Sequence, residues 1–223
     1  MRRSLDGPLT WSLFAVMLFA LYAAFLYAPT EQVMGDIQRI FYVHLPLAWV
    51  GFVAFGHACW GGVRYLGTGR REWDVASASA AEIGVLFATL VIVTGSLWAR
   101  PVWGAWWTWD PQLVTYLILW FIYVGYLILR AAAGDDARQA RFAAVFAIVG
   151  FVDVPLVWLS ARHLRALSPV IFTTHSIGLA PSMAWALLAG LVAWSLMYAV
   201  LVRARIRLGL LAAQIQDLVE GSA

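Results

Sequence analysis

Six long apolar runs separated by short polar connections dominate the pattern of this chain. They cover about 10–28, 42–65, 75–98, 111–132, 142–160 and 181–202, each near the roughly 20 residues an α-helix needs to cross a hydrocarbon core. The pattern predicts an all-α polytopic membrane protein, a bundle of six transmembrane helices forming a single domain over 1–223. The first run is too long for the core of a signal peptide and has no convincing cleavage site, so it reads as a retained span. Pro29 ends it. The connections are short apart from 161–180, and the segment 203–223 alternates apolar and polar residues at helical spacing. Such a segment suits an amphipathic helix on the membrane surface or a continuation of the sixth span.

Composition fits that class. Of 223 residues, 63% are hydrophobic and 12% charged, where a soluble domain is nearer a quarter charged; mean hydropathy is +0.79. All 15 basic residues are arginine. With the N-terminus inside, eleven of them (Arg2, Arg3, Arg64, Arg70, Arg71, Arg130, Arg138, Arg141, Arg203, Arg205, Arg207) fall on the cytoplasmic side and four (Arg39, Arg100, Arg162, Arg165) on the outer side. That bias predicts cytoplasmic termini in a plasma (inner) membrane, and it assigns the basic balance to topology rather than to nucleic acid. Cys59 is the single cysteine, which excludes an internal disulfide or a Cys–Cys metal pair. There is no Walker motif, nucleophile elbow, zinc-ligand spacing or dinucleotide fingerprint.

The loop 99–110 carries the densest chemistry. Trp103-Gly-Ala-Trp106-Trp107-Thr-Trp109-Asp110 places four of 13 tryptophans in eight residues. Single tryptophans anchor membrane interfaces, but a cluster in one connection suits a stacked or cage-like surface. If helical, Trp103, Trp106, Trp107 and Asp110 would share one face. Asp110 before Pro111 also reads as an N-cap followed by proline at the first helical position. The predicted topology puts His44, His163 and His175 on the same outer side as this loop. His57 lies over three helical turns deeper than His44. Imidazole is the commonest metal ligand, so histidines flanking an aromatic shelf suit a flat, metal-bearing ligand; haem, whose iron takes axial imidazoles, fits. The four outer arginines are candidates for pairing with its propionates, or are ordinary loop residues. Glu82, Asp153 and His57 lie within spans, where ionisable groups are functional suspects by default, although packing or a buried hydrogen bond accounts for each as well.

The Trp-rich octapeptide resembles the signature of the haem-handling membrane proteins of cytochrome c biogenesis. Arg39-Ile-Phe-Tyr-Val-His44-Leu-Pro46 and Val93-Thr-Gly-Ser-Leu-Trp98 are similar to the haem exporter protein C branch, and the likeness covers nearly the whole chain. The resemblance implies a non-enzymatic subunit that binds haem b on the periplasmic face. It implies delivery to a periplasmic haem chaperone, in a complex with ABC-type ATP-binding and membrane subunits and a small membrane subunit. Within it, the Trp loop (Trp103, Trp106, Trp107, Trp109, Asp110) forms the platform and His44 matches the first axial histidine. At the position of the second histidine this chain has Ser168, which leaves His175, with His163 as the alternative. A transporter for haem or another amphipathic substrate, a membrane b-type cytochrome and a haem-attaching synthase are the other readings of these residues.

Overall fold

The computed structural model describes residues 6–132, 137–164 and 178–221. Among them are seven α-helices and no strand: α1 (Asp6–Tyr22), α2 (Phe41–Thr68), α3 (Arg71–Trp103), α4 (Pro111–Ala132), α5 (Ala137–Phe151), α6 (Asp153–His163) and α7 (Pro181–Glu220). A π-helical turn (Ala23–Tyr27) extends α1, and a 3-10 turn (Asp36–Ile40) leads directly into α2. With α5 and α6 taken as one broken segment, six segments are long and apolar enough to cross a membrane.

The break between α5 and α6 has a local cause. Pro155 has no N–H, and its ring crowds the carbonyl four residues back, which belongs to Phe151, the last residue of α5. Val152 turns instead, its N–H donating to the Val149 carbonyl at 3.1 Å. At the other extreme, α7 runs unbroken from the sixth span through Glu220. At 1.5 Å per residue its 40 residues reach about 60 Å, far more than one span requires. The segment after Arg203 is therefore a continuation of the membrane helix, with Leu208, Leu211, Ile215 and Leu218 exposed along it.

α2 is the central helix. It packs along α3 and also meets α5 and α7, while α1 lies outside against α7. The main core joins Leu47, Val50, Phe55, Phe87, Leu119, Tyr123 and Tyr126, and a smaller one joins Ala23, Ala24, Phe41, Tyr42, Ala186 and Leu187. Phe55 stacks on Tyr123 with ring centroids 3.8 Å apart. Trp11, Phe14 and Phe19 stay exposed on α1 and Leu26 on the turn that extends it, as side chains facing lipid rather than water do. Between helices lipid supplies no hydrophobic drive, so small residues and close backbone approach matter more. Gly190 shows this: a Cβ there would meet the Tyr42 carbonyl oxygen at 2.9 Å and Pro46 at 3.2 Å. That carbonyl is the one Pro46 deprives of its helical partner.

Several polar groups of the long helices pair across helices, some buried and some at the bundle surface. Arg130 of α4 grips Asp74 of α3 through two hydrogen bonds, 2.6 and 2.8 Å, and Glu82 of α3 pairs with Arg205 of α7 at 2.7 Å. His57 Nδ1 is hydrogen-bonded to the buried Tyr198 hydroxyl at 2.8 Å, which gives His57 a packing role between α2 and α7. Asp153 is buried with one carboxylate oxygen unpartnered.

Candidate functional site

α3 stays helical through Trp103, and Gly104, in the left-handed region (φ 76°), ends it. The Trp segment is therefore not one amphipathic helix: Trp103 closes α3, and 104–110 form a loop leading into α4. Two side chains pin that loop. Arg100 donates to the Gly104 carbonyl. Asp110 acts as the N-cap of α4, accepting from the backbone N–H groups of Gln112 (3.1 Å) and Leu113 (3.3 Å), while its second oxygen accepts from the Thr108 hydroxyl (2.8 Å). The carboxylate thus fastens the loop to α4.

Beneath the loop lies a partly open cavity of about 290 Å³, close to the lower end of the roughly 300–1,000 Å³ typical of small-molecule sites. α2 contributes His44 and Phe52, α3 Trp98 and Trp103, the loop Trp107, α4 Gln112 and Tyr116, α6 Trp158 and Arg162, and the connection before α2 Met34. The wall is mostly apolar, aliphatic side chains alternating with six aromatic ones. Its polar atoms are not satisfied internally: Trp98 Nε1, Trp107 Nε1, Gln112 Oε1 and Tyr116 Oη are buried without a hydrogen-bond partner, four of nine such atoms among the described residues. Buried polar groups normally find partners, so four unpartnered atoms on the residues of one cavity set this end of the bundle apart. The His44 ring lies edge-on to Trp98, centroids 5.9 Å apart, and its Nδ1 is 2.9 Å from Thr94 Oγ1.

The structure brings His44, Trp103 and Trp107 together and separates the other candidates. Trp109 is 76% exposed and Trp106 58%; Trp109 touches Trp107 edge-on at 6.0 Å. His163 is exposed at the end of α6, next in the chain to Arg162. His175, Arg165 and Ser168 lie outside the described residues. Of the arginines expected on the outer side, Arg39 is absorbed locally, bonded to Asp36, to the carbonyls of Ala24 and Ala28 and to Thr30. Arg162 stacks on Trp158 at 4.6 Å and is the one that lines the cavity.

Sequence reasoning did not single out Met34, Phe52, Trp98, Gln112, Tyr116 or Trp158. One signal was present: Val91, Gly95, Trp98 and Val102 recur at helical spacing along α3 and all line the cavity. Met34 is placed by Glu31, whose carboxylate accepts from the N–H groups of Val33 and Met34.

Fold and cavity together define a multi-pass helical membrane protein with a largely apolar, tryptophan-rich site at one end of its bundle. The chain belongs to the Heme exporter protein C family, whose profile matches residues 3–220. It is 35% identical over 161 residues to Heme exporter protein C of Bradyrhizobium diazoefficiens, covering 68% of this chain and 59% of that one. It is 34% identical over 148 residues to a mitochondrial protein of Marchantia polymorpha named as ccmC-like and of cytochrome c biosynthesis, covering 66% and 62%. With Heme exporter protein C of Escherichia coli strain K12 the identity is 32% over 143 residues, covering 64% and 58%. The chain thus spans about six-tenths of the length of these relatives.

Proposed function

We propose that this protein takes part in cytochrome c maturation by holding haem b in the cavity under the Trp loop and releasing it to a periplasmic haem chaperone. The observation that carries the reading is His44: one imidazole, bonded through Nδ1 to Thr94, in a largely apolar cavity rich in aromatic side chains. Haem is a flat apolar ring with a metal at its centre and carboxylates at one edge, and each part has a counterpart. Trp98, Trp103, Trp107 and Phe52 supply apolar surface. The Arg162 guanidinium, exposed at the cavity wall, supplies donors for carboxylates. His44 Nε2 supplies an axial ligand, and His175 the second, with His163 as the alternative. When bound, haem contributes an iron that accepts two axial nitrogens. The protein's side chains orient it and make no bond with it beyond that coordination, which is why an enzymatic role is not proposed.

A site at the lower end of the small-molecule range encloses part of a macrocycle and leaves the rest accessible. Partial enclosure suits hand-over. Exposed Trp106 and Trp109 extend the aromatic surface outward, where an acceptor would dock. The arginine distribution supports an outer-face site, with cytoplasmic termini and ABC-type subunits plus a small membrane subunit as partners. Transport through the bundle draws less support, because Glu82 and His57 are engaged by Arg205 and Tyr198. A b-type cytochrome expects facing histidines deep in the bundle, and the deep histidine here faces a tyrosine.

Mixing the haem-loaded protein with the purified chaperone tests the proposal. Haem is expected to move from this protein to the chaperone, and more slowly from Trp109→Ala after equal loading. Haem that stays put through reversible redox cycling with quinol contradicts delivery and favours the electron carrier.

A further inference from the structure

His44 Nδ1 and Thr94 Oγ1 are 2.9 Å apart, and the direction of that hydrogen bond follows from the rest of Thr94. Its oxygen lies 2.7 Å from the Leu90 carbonyl oxygen and 3.3 Å from that of Val91. Two oxygens at 2.7 Å need a hydrogen between them, and a hydroxyl has only one to give. The Thr94 hydrogen therefore points down its own helix, and toward His44 the oxygen can only accept. The same helix repeats the arrangement where the donor is beyond question. Thr89 donates to the Val85 carbonyl at 2.8 Å and accepts at 2.8 Å from Trp120 Nε1, a group that can only donate.

We propose that Thr94 is a positioning residue that holds His44 as its Nδ1–H tautomer and so reserves the lone pair of Nε2 for the metal of a bound ligand. Gly95 completes the device. A Cβ at that position would meet His44 Cε1 at 3.1 Å, Nδ1 at 3.7 Å and Nε2 at 4.0 Å. The ring thus lies close against α3 with Cε1 foremost and its two nitrogens on either side, leaving no room for a side chain at Gly95 that would turn it. Metal-binding histidines commonly fix their free nitrogen and ring orientation by donating the other N–H to an acceptor. Here that acceptor is a threonine whose own hydrogen is already committed.

The metal consequence rests on the haem reading above; the tautomer does not. Histidine-selective ¹⁵N NMR of the haem-free protein in micelles, with the His44 signals identified by their loss in His44→Ala, reads the tautomer directly. Wild type is expected to show a protonated Nδ1 and an unprotonated Nε2, Thr94→Ser the same, and Thr94→Val a mixture. Haem affinity is expected to fall about 10–100-fold in Thr94→Val, the usual effect of losing such a partner, and to recover in Thr94→Ser. A wild-type His44 protonated on Nε2, or a Thr94→Val protein with wild-type tautomer and affinity, overturns the inference. The wild-type spectrum needs no variant, so a Thr94→Val chain that fails to fold does not block the test. A wild type with the expected tautomer that takes up no haem overturns the haem reading and supports the inference.

Discussion

Asp110 takes the N-cap role that the sequence offers it beside a place in the Trp platform. Its carboxylate caps α4 with one oxygen and ties Thr108 with the other, so the residue beside the tryptophans holds their loop. Replacing an N-cap Asp by Ala costs about 0.5–2 kcal/mol. Asp110→Ala is expected to lower stability by that amount in a detergent unfolding titration and to release the Trp loop, seen as altered Trp fluorescence. Asp110→Asn, which still accepts at the cap, is expected to stay near wild type. Equal loss in both variants would show that charge, not capping, is what the position supplies. The Trp cluster divides in the same way: Trp103 and Trp107 line the cavity, whereas Trp106 and Trp109 face outward. Trp107→Ala is expected to reduce haem retention strongly and Trp109→Ala to slow transfer with little effect on retention, both measured on the purified protein. Similar retention losses would merge the two roles.

At the scale of elements, two prolines shape the bundle. Pro155 breaks the fifth span, and α6 then carries Trp158 and Arg162 to the cavity. Pro46 strips a partner from the Tyr42 carbonyl just where Gly190 of α7 packs against it. Gly190→Ala forces a methyl group against that backbone and is expected to cost roughly 1–3 kcal/mol, as overpacking does, visible as an earlier midpoint in the same titration. An unchanged midpoint would mean that α7 shifts freely. The spans themselves were legible in the sequence, because a run of apolar residues long enough to cross lipid has few other uses. The break at Val152 was less so, since its apolar run continues through Pro155 and hydrophobicity alone gives no sign of a bend. The cavity was half legible. His44, Trp103 and Trp107 stand out by residue type, but Tyr116, Gln112 and Trp158 become site residues only when α4 and α6 are set beside α2 and α3. The Glu82–Arg205 pair is likewise a product of packing, its partners 123 residues apart.

For the whole molecule the central question is which membrane face the cavity opens toward. The arginine count argues for the outer face, and labelling tests it. In a Cys59→Ser background, Trp109→Cys at the exposed tip of the Trp loop is expected to react with a membrane-impermeant maleimide in intact cells. Gly221→Cys, beyond α7, is expected to react only after permeabilisation; the reverse pattern would turn the protein over. The most direct measurement is the optical and EPR spectrum of the purified protein loaded with haem b, compared with His44→Ala, His163→Ala and His175→Ala. Wild type is expected to give a haem spectrum with nitrogen axial ligation, His44→Ala to lose haem or change spin state, and one of the other two variants to reveal the second ligand. Haem bound with an identical spectrum after His44→Ala, or no haem bound by wild type at all, would contradict a site built around His44.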